Sequence, residues 1–143
     1  MPDTPKVKST GIYTGYFISN PKERYIAFIQ PLDSATIADV KDHISSFYGG
    51  VIKGVIGAVN TKGTLIYKKD IIIDGVQGME FEYLSTLNPK VPDVRFQRCV
   101  FFNDKVYNLC HWVFTDSVKE TEQNRMQFFN SFHINLTKKS TIK

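Results

Sequence analysis

The chain has 143 residues, of which 42% are hydrophobic and 22% are charged, and these proportions are those of one globular domain. Part of its formal net charge of +4 comes from lysines near the two ends, so we expect no nucleic-acid partner. Two cysteines are too few for a disulfide scaffold or a metal knuckle, and no apolar run reaches the roughly 20 residues that a membrane-spanning helix needs.

The two ends of the chain differ in composition from the rest. Residues 1–10 are rich in proline, threonine and lysine and have no apolar core, so we predict a disordered N-terminal tail that is not a signal peptide. We expect a single domain over 11–137 and a basic C-terminal tail over 138–143. The first ten residues suit a tether cut from a longer precursor, exported or periplasmic and held by a lipid anchor. If Met1 is the native start, the expected location is cytoplasmic.

Two strands open the predicted domain. Residues 11–19 and 24–30 are rich in aromatic and β-branched side chains and are separated by turn residues at 20–22. Pro31 is expected to end the second strand, because proline has no N–H to donate to a sheet.

A helix is predicted after these strands. Asp33 or Ser34 can cap it, and apolar residues then recur at three- and four-residue spacing. Gly49 and Gly50 are expected to kink or end this helix. Residues 51–59 keep the helical spacing, so we interpret them as a continuing helix or a loosely helical cover over the sheet.

Four further strands follow, and their turns carry a clear signal. Asp74-Gly75 is predicted to start a reversal, and Asn103-Asp104 to form a tight hairpin, because these residues tolerate the positive φ of primed turns. Gly75 and Gly78 are both interpreted as turn residues that permit positive φ. The predicted strands are 65–73, 79–84, 94–102 and 106–114.

A closing helix is predicted near the end of the domain. Ser117 and Glu120 have the spacing of a capping box, so the helix should begin there and run to about Ser131. Residues 133–136 are interpreted as a short terminal strand.

The order of the elements predicts the fold class. Helices separated in sequence from a run of strands indicate an α+β fold rather than alternating βαβ units. The 94–114 hairpin has apolar side chains on both faces, and such a sheet needs cover on both. We therefore predict a central antiparallel sheet of about six strands, flanked by helices on both faces.

Three short motifs in this order resemble PsbP-like domains. The reversal DGVQGMEFEY at 74–83 is similar to their G-x-x-G-x-E-F reversal, VYNL at 106–109 to their hairpin, and FFNSF at 128–132 to their F-x-x-S-F ending. The resemblance covers about 25–136. It implies the fold of the photosystem II PsbP subunit and of a Ran-binding nuclear import factor, and many bacterial relatives are small exported or lipid-anchored proteins. No calcium, manganese or Ran motif matches, so it implies no ligand.

The histidines do not form a recognisable site. His43, His111 and His133 are the only three, and no pair has metal-ligand spacing. We therefore predict no metal and no cofactor, and no catalytic residue, since no motif for nucleophilic or phosphate chemistry occurs.

Cys99 and Cys110 are expected to be buried thiols. If Asn103-Asp104 forms the hairpin turn, the cysteines face Asn108 and Gln97 and lie diagonally on one face of the sheet. If the turn is at 104–105, the two cysteines are directly opposed and could form a disulfide.

The leading functional interpretation is a non-enzymatic binding or accessory module in the cell envelope, with an unknown protein or small ligand as its partner. We expect the binding surface where the 84–94 connection meets the edge of the sheet. The residues that would form it are Tyr83, Asn88, Pro89, Arg95 and Trp112.

Two alternatives stay open. The first is a small-ligand-binding protein or enzyme with a pocket between the sheet and the first helix, lined by Tyr48, His111 and Trp112. The second is a homo-oligomeric structural subunit that uses an exposed sheet edge, so the chain is expected to be a monomer or a homodimer. A deep pocket at His111 would favour the first, and a two-fold edge contact burying more than about 1,000 Å² would favour the second.

Overall fold

A computed structural model of the chain describes residues 6–9, 14–19, 23–58, 62–86 and 93–134. Within these ranges the chain forms seven strands, three α-helices and one 3-10 helix. The strands are β1 (Lys6–Ser9), β2 (Thr14–Ser19), β3 (Glu23–Pro31), β4 (Gly63–Ile73), β5 (Val76–Ser85), β6 (Asp93–Phe102) and β7 (Lys105–Phe114). The helices are α1 (Ser34–Asp42), α2 (Ile44–Gly57) and α3 (Glu122–Asn130), and the 3-10 helix is Thr115–Ser117.

The seven strands form one antiparallel sheet in the order β1-β2-β3-β7-β6-β5-β4. The predicted α+β class with an antiparallel sheet is confirmed. The strand count exceeds the predicted six, because residues 6–9, which we expected in the N-terminal tail, pair with β2. Backbone groups at a sheet edge can add a strand without help from apolar side chains, so composition alone did not reveal β1.

Both predicted tight turns have the expected backbone. Asp74 and Gly75 have φ of 49° and 85°, and Asn103 and Asp104 have φ of 53° and 64°. Two successive residues with positive φ form a type I′ turn, whose twist suits an antiparallel hairpin. The hairpin turn at Asn103-Asp104 is therefore confirmed, and the alternative at 104–105 is wrong.

Gly78 is not the turn residue that we predicted. It lies inside β5 opposite Val100 of β6, and among the glycines that the structure describes only Gly75 has positive φ. A Cβ atom at Gly78 would lie 2.9 Å from the carbonyl oxygen of Cys99. Glycine at this position therefore allows a close approach of two strands rather than a turn.

The first helix breaks earlier than predicted. Asp33 caps α1, and its Oδ1 accepts a hydrogen bond of 2.7 Å from the Thr36 amide. The break falls at His43, with φ of −138° and ψ of 54°, whereas Gly49 and Gly50 lie inside α2. A glycine costs a helix roughly 1 kcal/mol relative to alanine. Burial of the apolar side chains of α2 outweighs that cost.

The closing helix begins later than the spacing of Ser117 and Glu120 predicted. Ser117 belongs to the 3-10 helix and its Oγ donates to Asp116, while α3 begins only at Glu122. The Oγ1 of Thr121 donates to the carbonyl oxygen of Ser117 at 2.8 Å, which holds the turn between the two helices. Residues 133 and 134 are not in a strand, and 135–136 lie outside the described residues.

Two apolar clusters pack against the sheet. The first joins Phe128 and Phe129 of α3 to strand residues Tyr25, Val94, Phe96, Leu109 and Val113. The second joins Tyr48 and Ile52 of α2 to strand residues Met79, Phe81, Tyr83, Cys99 and Val106. On β6 the first cluster contains Val94 and Phe96 and the second contains Cys99, which is an odd number of residues away. The two clusters therefore lie on opposite faces of the sheet, which we call the α3 face and the α2 face. No helix in the described ranges is long and apolar enough to cross a membrane.

Candidate functional site

Three of the five side chains predicted to bind a ligand lie side by side. Tyr83 of β5 is opposite Arg95 of β6, Arg95 is opposite Trp112 of β7, and Trp112 is opposite Arg24 of β3. Directly opposed residues of antiparallel strands project to the same face. These four side chains therefore form one row across the α2 face, which we call the Trp112 row.

Two guanidinium groups flank the indole of Trp112. The Cζ atom of Arg95 lies 3.7 Å from the centroid of the indole ring, and that of Arg24 lies 5.6 Å from it. Arg95 is buried and its Nε donates to Oδ1 of Asp93 at 2.7 Å, whereas Arg24 is exposed and Trp112 is half-buried. Arg95 thus positions the ring from within the fold, and Arg24 presents a charge to solvent beside it.

The surroundings of the row are apolar and aromatic. Phe114, two residues along β7 and on the same face, is 40% exposed. The indole Nε1 of Trp112 is buried and has no hydrogen-bond partner among the described residues. Burial raises the pKa of Tyr83, although Arg95 beside it acts in the opposite direction, so Tyr83 stays a neutral phenol near pH 7.

The row does not lie at the edge of the sheet, where we expected the binding surface. The 84–94 connection joins β5 to β6, and both are inner strands of the sheet. Asn88 and Pro89, which we assigned to the same surface, lie outside the described residues.

His111 lies on the other face and cannot line a pocket with Trp112. Consecutive strand residues project to opposite faces, so His111 faces α3. Its side chain is fully buried, and its Nε2 lies 2.7 Å from Oε1 of Glu23, which also accepts the hydroxyl of Tyr25. The ring of Tyr25 stacks on His111 with centroids 4.6 Å apart. We call Glu23, Tyr25 and His111 the His111 cluster, and the predicted pocket lined by both His111 and Trp112 does not exist.

Burial dominates the electrostatics of the His111 cluster. Burial lowers the pKa of His111, and this effect outweighs the hydrogen bond with Glu23, which acts in the opposite direction. Burial also raises the pKa of Tyr25, and Glu23 raises it further. His111 is therefore neutral at pH 7, and its Nε2 donates to Glu23. Its Nδ1 is buried and has no partner among the described residues.

Tyr48 is a structural link between α2 and the sheet. It is fully buried, and its hydroxyl donates to the carbonyl oxygen of Gln77 at 2.8 Å and accepts from the amide of Phe101 at 2.9 Å. The direct pairing of β5 with β6 ends one residue earlier, at Gly78 and Val100. The hydroxyl thus extends the hydrogen-bonded contact of these strands, and burial raises its pKa to about 12.

A second buried carboxylate lies on the α3 face. Glu80 accepts from the hydroxyl of Tyr67 and from Nε of Arg98, each at 2.6 Å, and Lys69 Nζ lies 3.3 Å from it. Burial acts to raise the pKa of Glu80, but the hydrogen bonds from Tyr67 and Arg98 outweigh it, and the pKa is lowered. Glu80 is a fully engaged structural anion rather than a general base.

The cysteines are two free, buried thiols. Cys99 lies opposite Asn108 and Cys110 opposite Gln97, as the turn at Asn103-Asp104 predicted. Burial raises the pKa of Cys99 to about 12, and that of Cys110 is raised as well. Neither thiol has the thiolate character of a catalytic nucleophile.

The other histidines lie at the surface, each beside one carboxylate. His43 Nδ1 is 3.4 Å from Asp39, and His133 Nδ1 is 3.4 Å from Asp74. In the part of the chain that the structure describes, no three histidine, cysteine or acidic side chains are placed to hold a metal ion.

Sequence reasoning missed Glu23, Tyr25 and Arg24 as partners of the predicted site residues. All three lie on β3, which becomes a neighbour of β7 only in the folded sheet. Residues 23–26 are Glu-Arg-Tyr-Ile and show no alternation of polar and apolar residues, so no local signal indicated which strand lies alongside.

Comparison with known proteins shows similarity of fold. No protein-family model and no curated protein sequence matches the chain. A solved structure from Pseudomonas aeruginosa, a protein of unknown function described as a putative regulator, aligns with a TM-score of 0.63 and 11% identity, over 93% of this chain and 99% of that one. The solution structure of cyanobacterial PsbP (CyanoP) from Synechocystis sp. PCC 6803 aligns with a TM-score of 0.52 and 13% identity, over 92% of each chain. The chain therefore has a PsbP-like fold, as the sequence resemblance implied, and identities this low carry no function across.

Proposed function

We propose that the protein is a non-enzymatic binding module that recognises a protein partner through the Trp112 row. The observation that supports this most directly is the half-buried indole of Trp112 between the guanidinium groups of Arg95 and Arg24. Tryptophan and arginine are the residue types that most often dominate binding energy at protein interfaces. A guanidinium stacked on an aromatic ring also loses less side-chain freedom when it binds a carboxylate.

The chemistry of the row defines the partner. Arg24 is exposed and offers a cation, Phe114 offers an exposed aromatic surface, and the chain carries a net charge of +4. A partner segment that combines acidic and apolar side chains would complement all three. Arg95 is held by Asp93, so it contributes by fixing the ring rather than by binding directly.

The His111 cluster supports a non-enzymatic role. His111 is fully buried, and its Nε2 is engaged by Glu23. A general acid or base must come within hydrogen-bond reach of its substrate. We therefore assign His111 a structural role.

We further propose that this module acts in the cell envelope. The support is the resemblance to small exported bacterial proteins. Fractionation of the native cells with an antibody against the protein tests this: we expect it in the periplasmic or membrane fraction, and recovery with cytosolic markers would contradict the proposal.

Trp112 provides a direct test of binding, because it is the only tryptophan of the chain. Titration with a ten-residue peptide of glutamate, aspartate and one phenylalanine should shift the tryptophan emission in a saturable way. A lysine-rich peptide of the same length should give no shift. We expect Arg24→Glu to weaken binding of the acidic peptide at least about 10-fold, a typical effect for an interface arginine.

Lys119→Glu is the matched control, since it makes the same charge change at an exposed position next to α3. It should leave binding unchanged apart from a small general charge effect. If no acidic peptide shifts the emission, or if the two charge variants weaken binding equally, the proposed role of the Trp112 row is wrong.

A further inference from the structure

The outer strand β4 exposes apolar side chains. It is the last strand of the sheet, and in the described ranges only β5 pairs with it. Leu65, Ile66 and Ile72 are 39%, 51% and 69% exposed. A long outer strand with exposed apolar side chains is a template for pairing with another strand.

The hairpin geometry shows which backbone groups of β4 point outward. In a two-residue type I′ hairpin the flanking pair, here Ile73 and Val76, is hydrogen-bonded. From Ile73 back to Tyr67 the hydrogen-bonded and non-hydrogen-bonded residues then alternate, and the ladder becomes irregular only between Leu65 and Tyr67. The N–H and C=O groups of Lys68, Asp70 and Ile72 therefore point away from β5, toward the free side.

From this edge we infer that β4 is a self-pairing surface, on which a second copy of the chain adds its own β4 antiparallel about a two-fold axis at Lys69. In this register Lys68 of each copy lies opposite Asp70 of the other, and Ile72 lies against the irregular segment between Leu65 and Tyr67. Each opposition occurs twice because the interface is isologous. The two pairs of opposite charges therefore favour this register.

The alternative registers are poorer. Residues that lie directly opposite each other are on the same face of the sheet, and residues of one face are two apart along a strand. A two-fold axis perpendicular to the sheet therefore passes between a residue and its own copy, not between two neighbouring residues of the strand. An axis at Asp70 opposes two aspartates and places Lys68 against Ile72. An axis at Lys68 opposes two lysines and places Asp70 against Ile66.

At the axis itself Lys69 would meet its copy. The Nζ of Lys69 already lies 3.3 Å from Oε2 of the buried Glu80 on the neighbouring strand. Each copy thus brings its own Glu80 carboxylate to the axis, and this carboxylate also pairs with Arg98. Lysines on outer strands usually discourage pairing. Here Lys68 is matched by an aspartate in one register only, so the same charges select that register.

A charge-swap experiment tests the inference by sedimentation velocity over a range of protein concentrations. The wild-type chain should show a concentration-dependent dimer. Lys68→Asp and Asp70→Lys should each weaken the dissociation constant about 10-fold, because each replaces two attractive cross-strand pairs with two repulsive ones. The double variant K68D/D70K should restore dimerisation to near wild type. A monomer at every concentration, or a double variant as weak as the single ones, overturns the inference.

A cross-link tests the register independently. Lys69→Cys places two thiols directly opposite each other at a non-hydrogen-bonded pair, where the Cα separation suits a disulfide. Mild oxidation should give a covalent dimer, whereas Ile72→Cys, six residues from its copy along the paired strands, should not. Equal cross-linking of both variants contradicts the axis at Lys69. Arg24→Glu should leave dimerisation unchanged, so failure of this inference is distinguishable from failure of the proposed partner binding.

Discussion

At the residue scale, several buried polar side chains form hydrogen bonds with one another inside an apolar core. Glu23 accepts hydrogen bonds from Tyr25 and His111, and Glu80 accepts from Tyr67 and Arg98. A buried polar group without a partner costs about 1–3 kcal/mol, so breaking such a network is more costly than its net contribution suggests. These residues therefore lend themselves to stability measurements rather than to assays of activity.

His111 should make stability depend on pH in the weakly acidic range. Its folded pKa is lowered by burial from about 6.5, so the unfolded chain binds a proton more readily than the native one. Stability is then fully present above about pH 6.5 and is lost as the pH falls below it. Urea unfolding at pH 7.5, 6.5 and 5.5 should show this decline. The groups that face His111 are Glu23, Tyr25 and Arg125.

His111→Gln should flatten that decline, since glutamine can donate to Glu23 but does not titrate. His43→Gln is the control, because the His43 side chain is 64% exposed. The lowered pKa of Glu80 acts in a separate window, with stability lost only as the pH falls below about 4.5. An unchanged slope in the His111 variant between pH 6.5 and 5.5 would show that another group titrates there.

At the element scale, the glycines have opposite roles that depend on their neighbours. A Cβ at Gly50 in α2 would meet no atom within 4 Å, whereas one at Gly78 in β5 would lie 2.9 Å from a backbone carbonyl oxygen. At position 50, glycine only lowers the stability of the helix. At position 78, glycine allows the inner strands β5 and β6 to pair.

Substitution by alanine should therefore change stability in opposite directions. Gly50→Ala should raise the free energy of unfolding by about 0.5–1 kcal/mol, because the helix gains and nothing clashes. Gly78→Ala should lower it by about 1–3 kcal/mol, because the backbone must shift to accept the methyl group. Urea unfolding of the two variants measures both, and a neutral Gly78→Ala would mean that β5 and β6 move apart without cost.

At the scale of the whole molecule, α2 and the sheet are joined by the hydroxyl of Tyr48. It bridges Gln77 of β5 and Phe101 of β6, where direct pairing of these strands has ended. The α3 face is joined differently, through the aromatic rings of Phe128 and Phe129 and through Arg98, whose Cζ lies 4.7 Å from the Phe129 ring centroid.

Tyr48→Phe should destabilise the fold by about 1–3 kcal/mol, because it leaves a backbone N–H and a C=O without the partner that the hydroxyl supplied. Amide hydrogen exchange gives a local measurement: the Phe101 amide should exchange faster in the variant, while the Cys99 amide, inside the β5–β6 ladder, should change only with global stability. Unchanged exchange at Phe101 would show that the hydroxyl does not hold these strand ends.

The sequence by itself determined the features that depend on neighbouring residues. The central strands, the two type I′ turns and the opposition of Cys99 to Asn108 follow from alternation and from residues that tolerate positive φ. The Trp112 row could be found in part, because Tyr83, Arg95 and Trp112 lie on strands adjacent in both sequence and space.

Only the tertiary structure decided the features that depend on distant segments. Pairing of β3 with β7 brought Arg24 beside Trp112 and Glu23 beside His111, and no local pattern specifies that pairing. The close approach at Gly78 and the continuity of α2 through Gly49 and Gly50 were likewise set by packing, which outweighs the intrinsic preference of single residues. Local preferences predict which residues share a face, whereas the order of strands in the sheet decides which side chains meet.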